Sequence, residues 1–120
     1  MIKLERIEDF ALFLFLHVGR VDGSLHPNER DAILEKMAEI FPGDAYINEK
    51  LSTMEKEYSA MGYSSSENLL KDSLSSFSTI DSITKNKIHQ GLYAVINANG
   101  RVSEEETQAL RFFKGWLTAS

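Results

Sequence analysis

The sequence predicts a single all-α domain, a bundle of six to seven helices that spans residues 1–120. Three observations lead to this prediction. Apolar residues recur at helical spacing through most of the chain, and no useful stretch alternates apolar and polar residues as a strand would. Turn and capping residues also divide the chain into helix-sized segments. With 120 residues, 42% of them hydrophobic, the chain has the size and composition of one domain with one core.

The first helix is predicted from about Leu4 to Val18, and it is apolar around nearly its whole circumference. Leu4, Ile7, Ala11, Leu14 and Val18 form one stripe, and the phenylalanines between them leave little polar face. A helix that is apolar all round is usually buried. We therefore expect it to be the central helix of the bundle.

The second and third helices are bounded by clear stop and start residues. The second is predicted from Pro27, which suits a first helical position, to Phe41, after which a Pro-Gly pair ends it. Asp44 is then expected to cap a third helix. This third helix is predicted to continue to about Met61 and to end at Gly62.

The fourth and fifth helices flank the weakest segment of the pattern. Ser64 and Glu67 have the spacing of a capping box, which predicts a helix start. The serine-rich stretch Ser73–Ser82 is interpreted as a bend between helices. Asp81 is expected to cap the fifth helix. Gly91, inside that helix, is expected to permit close contact with another helix.

The last helix is predicted from Glu104 to about Leu117. Its inner face would carry Phe113 and Trp116, whereas Phe112 falls off the main apolar stripe. An apolar side chain outside the stripe can form an exposed edge. The C-terminal helix is therefore a candidate surface for a protein partner.

The two ends of the chain repeat the same pattern. The segments Val18–Ile33 and Val95–Leu110 each combine an apolar helix end, an Asp-Gly or Asn-Gly turn, and a helix opened by glutamate. The repeat predicts two similar helical hairpins packed as pseudo-symmetric halves. The identical pairs are Val18 and Val95, Gly23 and Gly100, Glu29 and Glu106, and Ala32 and Ala109.

The two loops resemble those of the tellurite-resistance protein TerB-like family. The similar segments are VDGSLHPNE (Val21–Glu29) and ANGRVSEEE (Ala98–Glu106). The resemblance implies an all-α TerB-like bundle in two halves and a role in bacterial stress response or tellurite resistance. It also implies divalent-metal binding by the loop residues Asp22, Glu29, Asn99 and Glu106. Asn99 is neutral, a departure from the acidic pattern that weakens the metal site of the second half.

The same four residues have two interpretations when they are judged from their chemistry. Carboxylate, amide and carbonyl oxygens are the ligands that Ca²⁺ and Mg²⁺ prefer. Alternatively, Asp-Gly and Asn-Gly are ordinary turn dipeptides, and Ser103 with Glu106 is a capping box. Glu29 occupies the equivalent third position of a helix that begins at Pro27. Neither loop has the ligand spacing of an EF-hand.

The histidines show no metal-binding spacing. None of His17, His26 and His89 has a histidine partner four residues away, as a zinc-binding helix would require. His26 is the candidate accessory ligand because it neighbours the Asp22 loop. His17 is expected to be a helix-terminus histidine with a hydrogen-bonded ring.

Composition excludes several classes of function. Thirteen basic residues against eighteen acidic ones give a formal charge of -5, which disfavours nucleic acid and anionic membranes as partners. No cysteine is present, which excludes disulfides, thiol nucleophiles and cysteine-ligated metals. No phosphate-loop, dinucleotide-binding or nucleophile-elbow motif occurs, so we expect no enzymatic activity.

The N-terminus predicts a cytoplasmic protein that does not insert into a membrane. Residues 1–10 carry acidic residues where a secretory signal would be basic. The longest apolar run, Phe10–Leu16, is far shorter than the roughly 20 residues that a membrane span needs.

Three hypotheses about function follow from the sequence. The first is a non-enzymatic TerB-like module whose loops bind a divalent cation, Ca²⁺ or Mg²⁺. The second is a metal-free structural adaptor that docks a protein partner through an apolar helix face. The third, an enzyme acting on a small molecule, would require a buried acidic cluster in a pocket. The sequence leaves the oligomeric state open.

Overall fold

The described part of the chain contains six α-helices and one short 3₁₀ helix, and no strand occurs within it. The computed structural model describes residues 4–20, 25–43, 45–77, 79–98 and 103–118, with side chains of the last segment as far as residue 115. The all-α prediction is confirmed, whereas the pseudo-symmetry of two halves stays a prediction. The helices are α1 (Ile7–Arg20), α2 (Pro27–Ile40), α3 (Ile47–Met61), α4 (Tyr63–Ser73), the 3₁₀ helix Leu74–Phe77, α5 (Ser82–Asn97) and α6 (Glu104–Thr118).

Helix α1 is the centre of the bundle. Every residue from Phe10 to Gly19 is buried, and α1 contacts all five other α-helices. The apolar surface of a helix without a polar face is removed from water only when other helices surround it. The prediction of a central first helix is therefore confirmed, although the helix begins at Ile7 rather than Leu4.

No helix among the described residues has both the length and the apolar character that a membrane span requires. Helix α1 is the most apolar of them but has only 14 residues. Its apolar surface is covered by the other helices of the bundle.

Two predicted helix starts are wrong. Helix α3 begins at Ile47 with Tyr46 in the N-cap position, and Asp44, the predicted cap, lies outside the described residues. Helix α4 begins at Tyr63 with Gly62 in the N-cap position, two residues before the predicted Ser64 cap, and its first hydrogen bond joins the Ser66 N–H to the Gly62 carbonyl. The Glu67 carboxylate pairs with Lys71 instead of closing a capping box. Ile47, the first residue of α3, is buried in the core, so tertiary packing favours a helix start there.

Other residues that were predicted to start or end helices do so. Gly62 ends α3 with a φ of 83°, a left-handed conformation that glycine adopts without steric cost. The backbone N–H of Thr84 donates to Asp81 Oδ2 at 3.3 Å, so Asp81 caps α5. The serine-rich stretch contains the bend that was predicted, in the form of a 3₁₀ helix that buries Phe77.

Gly91 allows α5 to lie directly against α1. A Cβ atom at Gly91 would lie 2.8 Å from Cζ of Phe15 and 3.1 Å from its Cε1. Phe15 is fully buried, so its ring has little room to move away. The prediction that Gly91 permits close helix contact is confirmed.

Candidate functional site

Two buried glutamates lie in the repeated segments Val18–Ile33 and Val95–Leu110, the two corners of the chain. Glu29 is the third residue of α2, and Glu106 is the third residue of α6. Each is only 1% exposed, although acidic residues are rarely buried unless their oxygens are paired. The repeat in the sequence thus corresponds to two matching buried carboxylates in the structure.

One carboxylate oxygen of each glutamate accepts a backbone hydrogen bond at the start of its own helix. The backbone N–H of His26 donates to Glu29 Oε1 at 3.1 Å, and the N–H of Ser103 donates to Glu106 Oε1 at 3.0 Å. At the second corner the N–H of Glu106 also donates to Ser103 Oγ at 3.0 Å. The capping box predicted for Ser103 and Glu106 is therefore present, with the equivalent backbone contact at Glu29.

The second oxygen of Glu106 is not used by the cap. Glu106 Oε2 is buried and has no hydrogen-bond partner among the residues that the structure describes. A buried carboxyl oxygen without a hydrogen-bond partner costs free energy, on the order of 1–3 kcal/mol. This oxygen is the part of the corner that a cation could stabilise.

The loop residues predicted to complete the metal site are outside the described part of the chain. Asp22 and Asn99, with the turn glycines Gly23 and Gly100, all fall in the undescribed ranges 21–24 and 99–102. Within the described ranges, no three His, Asp or Glu side chains lie close enough together to hold a metal ion. The structure thus brings Glu29 and Glu106 to equivalent helix positions, and the four-residue metal assignment stays a prediction.

A second polar cluster, built around His17, was missed in the sequence. His17 is 0% exposed, and its Nδ1 lies 3.0 Å from the hydroxyl of Tyr58 on α3. The ring of Tyr63 lies against the imidazole, with 4.9 Å between centroids. The predicted hydrogen-bonded ring is confirmed, but the sequence did not indicate that the ring is fully enclosed.

Burial disfavours the charged form of both partners of this hydrogen bond. Desolvation lowers the pKa of His17 from 6.5 to about 4, and the negative charge of Glu67 only partly opposes that shift. Desolvation likewise raises the pKa of Tyr58 to about 12, against the opposing effect of the Arg20 charge. At neutral pH the cluster therefore contains a neutral imidazole and a neutral phenol.

The exposed edge predicted at Phe112 is partly covered by a cation. Phe112 is 45% exposed, but Lys71 Nζ lies 4.6 Å from the centre of its ring. Lys71 also pairs with Glu67 Oε1 at 2.8 Å. The side chain of Trp116, predicted to face inward from the same helix, lies outside the described side chains.

Comparison of the chain with protein-family models, with curated proteins and with solved structures gave no match. The resemblance to TerB-like proteins therefore depends on the two loop segments alone.

Replacing either corner glutamate by alanine is expected to destabilise the fold. Glu29→Ala and Glu106→Ala each remove the acceptor of one helix-start N–H, which should lower the free energy of unfolding by about 1 kcal/mol. Urea denaturation followed by circular dichroism measures the loss. Glu105→Ala, at an exposed neighbouring position, is the matched control and should change stability by less than about 0.5 kcal/mol. Equal effects at Glu105 and Glu106 would contradict the capping role.

Proposed function

We propose that this chain is a non-enzymatic TerB-like module that binds a divalent cation at its repeated corners and acts in bacterial stress response or tellurite resistance. The observation that carries the proposal is Glu106 Oε2, a buried carboxylate oxygen with no donor among the described residues. It lies in the residue that ends the second TerB-like segment. The cellular role follows from the resemblance of the two loops.

The residues of each corner have the chemistry of a hard-cation site. Asp22 and Glu29 would hold the ion at the first corner, and Asn99 and Glu106 would hold it at the second. Carboxylate and amide oxygens suit Ca²⁺ or Mg²⁺, and a bound cation would give the buried carboxyl oxygen a partner. Because Glu106 Oε1 already accepts the Ser103 N–H, its Oε2 is the oxygen offered to the ion.

A metal-free structural adaptor is the second candidate function. It is favoured by the capping bonds, since they give both corner glutamates a structural role without any ion. The exposed part of Phe112 on α6 supplies the apolar surface that such an adaptor would present to a protein partner. The two candidates differ in one respect that can be measured, the response of stability to cations.

Thermal melting with and without cations separates the candidates. Wild-type protein is melted in chelator and in Ca²⁺, Mg²⁺, Mn²⁺ and Zn²⁺, beside Asp22→Ala, Glu29→Ala and Glu106→Ala. An ion that binds the folded state raises stability by mass action, by about 2.7 kcal/mol at a hundredfold excess over its Kd. We expect Ca²⁺ or Mg²⁺ to raise the melting temperature of the wild type. We expect Glu106→Ala to lose most of that increase.

The adaptor predicts a different set of results. Each glutamate variant would then be destabilised by the same amount in chelator and in metal, because only the cap is lost. If no ion shifts the melting of the wild type, cation binding is wrong and the adaptor is retained.

A further inference from the structure

A groove lies between α5 and α6, which pack side by side. Its volume is about 270 Å³, and it is lined by Tyr93 and Ile96 from α5 and by Leu110, Arg111 and Lys114 from α6. Ile96 and Leu110 are only 2% and 5% exposed and form an apolar floor. Because a cavity of about 150 Å³ can accept benzene, the groove has room for one flat ring with a small substituent.

The charged side chains that line this groove are both cations, although acidic residues outnumber basic ones in the chain by eighteen to thirteen. Arg111 and Lys114 are exposed, and their spacing of three residues places them on one face of α6. The acidic residues of α6 are confined to its first turn, and α5 contains none. The Arg111 guanidinium forms no ion pair with an acidic side chain among the described residues. The groove is therefore a positively charged site in an acidic protein.

The histidine beside the groove responds to the same positive charge. Burial lowers the pKa of His89, and the charge of Lys114 lowers it further. The imidazole lies against the Tyr93 ring, with 5.0 Å between centroids. The charge of Lys114 on α6 therefore acts on the neighbouring face of α5 as well.

Two polar side chains of the groove are held in place by their own helices. Asn97 Nδ2 donates to the Tyr93 carbonyl at 2.8 Å, and Thr107 Oγ1 donates to the Ser103 carbonyl at 3.1 Å. Both side chains line the groove. Side chains that are already ordered lower the entropy cost of binding a ligand, so the groove is preformed in this part of its wall.

We propose that this groove binds a small organic anion, in which a carboxylate or phosphate group is joined to one flat ring. The guanidinium fork of Arg111 matches two oxygens of either group, and Lys114 adds a second positive charge. The ring packs on Ile96 and Leu110, beside the ring of Tyr93. The groove shares no residue with the cation site proposed at the corners, so either proposal can fail without the other.

Other ligands match the groove less well. An organic cation would be repelled by Arg111 and Lys114, and a neutral ring would gain nothing from their charges. Inorganic phosphate has no apolar part to place on the floor. A nucleic acid or an anionic membrane presents many negative charges, which the net charge of -5 repels.

The test compares probes that share a ring and differ in charge. Benzoate, phenyl phosphate, benzyl alcohol and benzylamine, together with inorganic phosphate, are each titrated into the ¹⁵N-labelled full chain at pH 7.5. We expect benzoate or phenyl phosphate to shift the amide resonances of Tyr93, Leu110 and Arg111 in a saturable way. The Kd of the better anion should be lower than those of the other three probes by about tenfold or more. Whether benzoate or phenyl phosphate binds tighter identifies the anionic group.

Two variants that each remove one positive charge distinguish the groove from a general effect of charge. Arg111→Gln removes the proposed anion ligand, whereas Lys87→Gln changes a residue of α5 that does not line the groove. Both positions are exposed, so both variants should keep the wild-type spectrum and fold. We expect Arg111→Gln to weaken binding of the better anion by about tenfold or more, and Lys87→Gln by less than about twofold.

Several results would overturn the proposal. These are the absence of saturable shifts with both aromatic anions, binding of benzyl alcohol or benzylamine as tight as that of the anions, and binding of inorganic phosphate as tight as that of phenyl phosphate. An Arg111→Gln variant that binds the better anion as tightly as the wild type, or no more weakly than Lys87→Gln does, would also overturn it.

Discussion

Acidification from pH 7.5 to 5 is expected to lower the free energy of unfolding by about 2 kcal/mol through His17 alone. Its pKa is about 4 in the folded chain, against 6.5 for an unperturbed histidine. Each unit of difference corresponds to about 1.4 kcal/mol. The effect is large because the imidazole is 0% exposed and its charged form has lost its hydration.

The direction of this dependence follows from which state binds the proton. Between pH 6.5 and about 4 the unfolded chain protonates His17 while the folded chain does not, so stability falls as the pH falls. Above pH 6.5 neither state is protonated there, and the full stability is present. Below about pH 4 both states are protonated, and the loss through His17 reaches its limit of about 3 kcal/mol.

Urea denaturation at pH 5, 6, 7 and 7.5 measures this loss, with His17→Asn as the comparison. Asparagine does not titrate and can still accept the Tyr58 hydroxyl. Burial also lowers the pKa of His89, so both proteins carry His89→Gln. Between pH 7.5 and pH 5 the free energy of unfolding of the variant should fall by about 2 kcal/mol less than that of the protein with His17. Identical slopes would show that His17 is not the buried neutral imidazole described here.

Gly91→Val is expected to destabilise the fold by about 2–3 kcal/mol. Any Cβ at this position would lie 2.8 Å from Cζ of Phe15, inside van der Waals contact. The ring belongs to the central helix and is fully buried, so either α5 or Phe15 must shift. Thermal or urea denaturation of the purified variant provides the measurement.

A double-mutant comparison separates this contact from helix propensity. Alanine favours a helix interior over glycine by about 1 kcal/mol, so Gly91→Ala should be stabilising once the contact is gone. We expect Gly91→Ala to destabilise the wild type but to stabilise a Phe15→Leu background, since leucine lacks Cζ and Cε1. If Gly91→Ala were stabilising in both backgrounds, close packing would not explain the glycine.

The sequence predicted the architecture well where its pattern was unambiguous. The circumference of α1 is apolar, so its central position could be inferred from residue spacing alone. Pro27, Gly62 and Asp81 bound helices as expected, because the proline ring, the glycine backbone and the aspartate side chain each act locally. Ser64 did not, because α4 begins at Tyr63 after Gly62 and the Glu67 carboxylate pairs with Lys71 rather than with an N–H at the helix start.

The candidate sites were predicted less completely. Glu29 and Glu106 could be identified because they occupy matching positions in the sequence repeat. Their capping bonds could be predicted because each is the third residue of its helix. The pairing of His17 with Tyr58 joins residues from α1 and α3 that are distant in sequence. A polar residue within the apolar run of α1 was the available signal, since a buried polar group requires a partner.

Carboxyl ¹³C NMR of glutamate-labelled protein tests the central claim most directly. During titration with Ca²⁺ and then Mg²⁺, the Cδ resonance of Glu106 should shift in a saturable way. The exposed Glu105 beside it should respond only weakly and in proportion to salt. A Glu106 resonance that follows Glu105, or that does not move, would contradict cation binding at the corner and leave the glutamate as a helix cap.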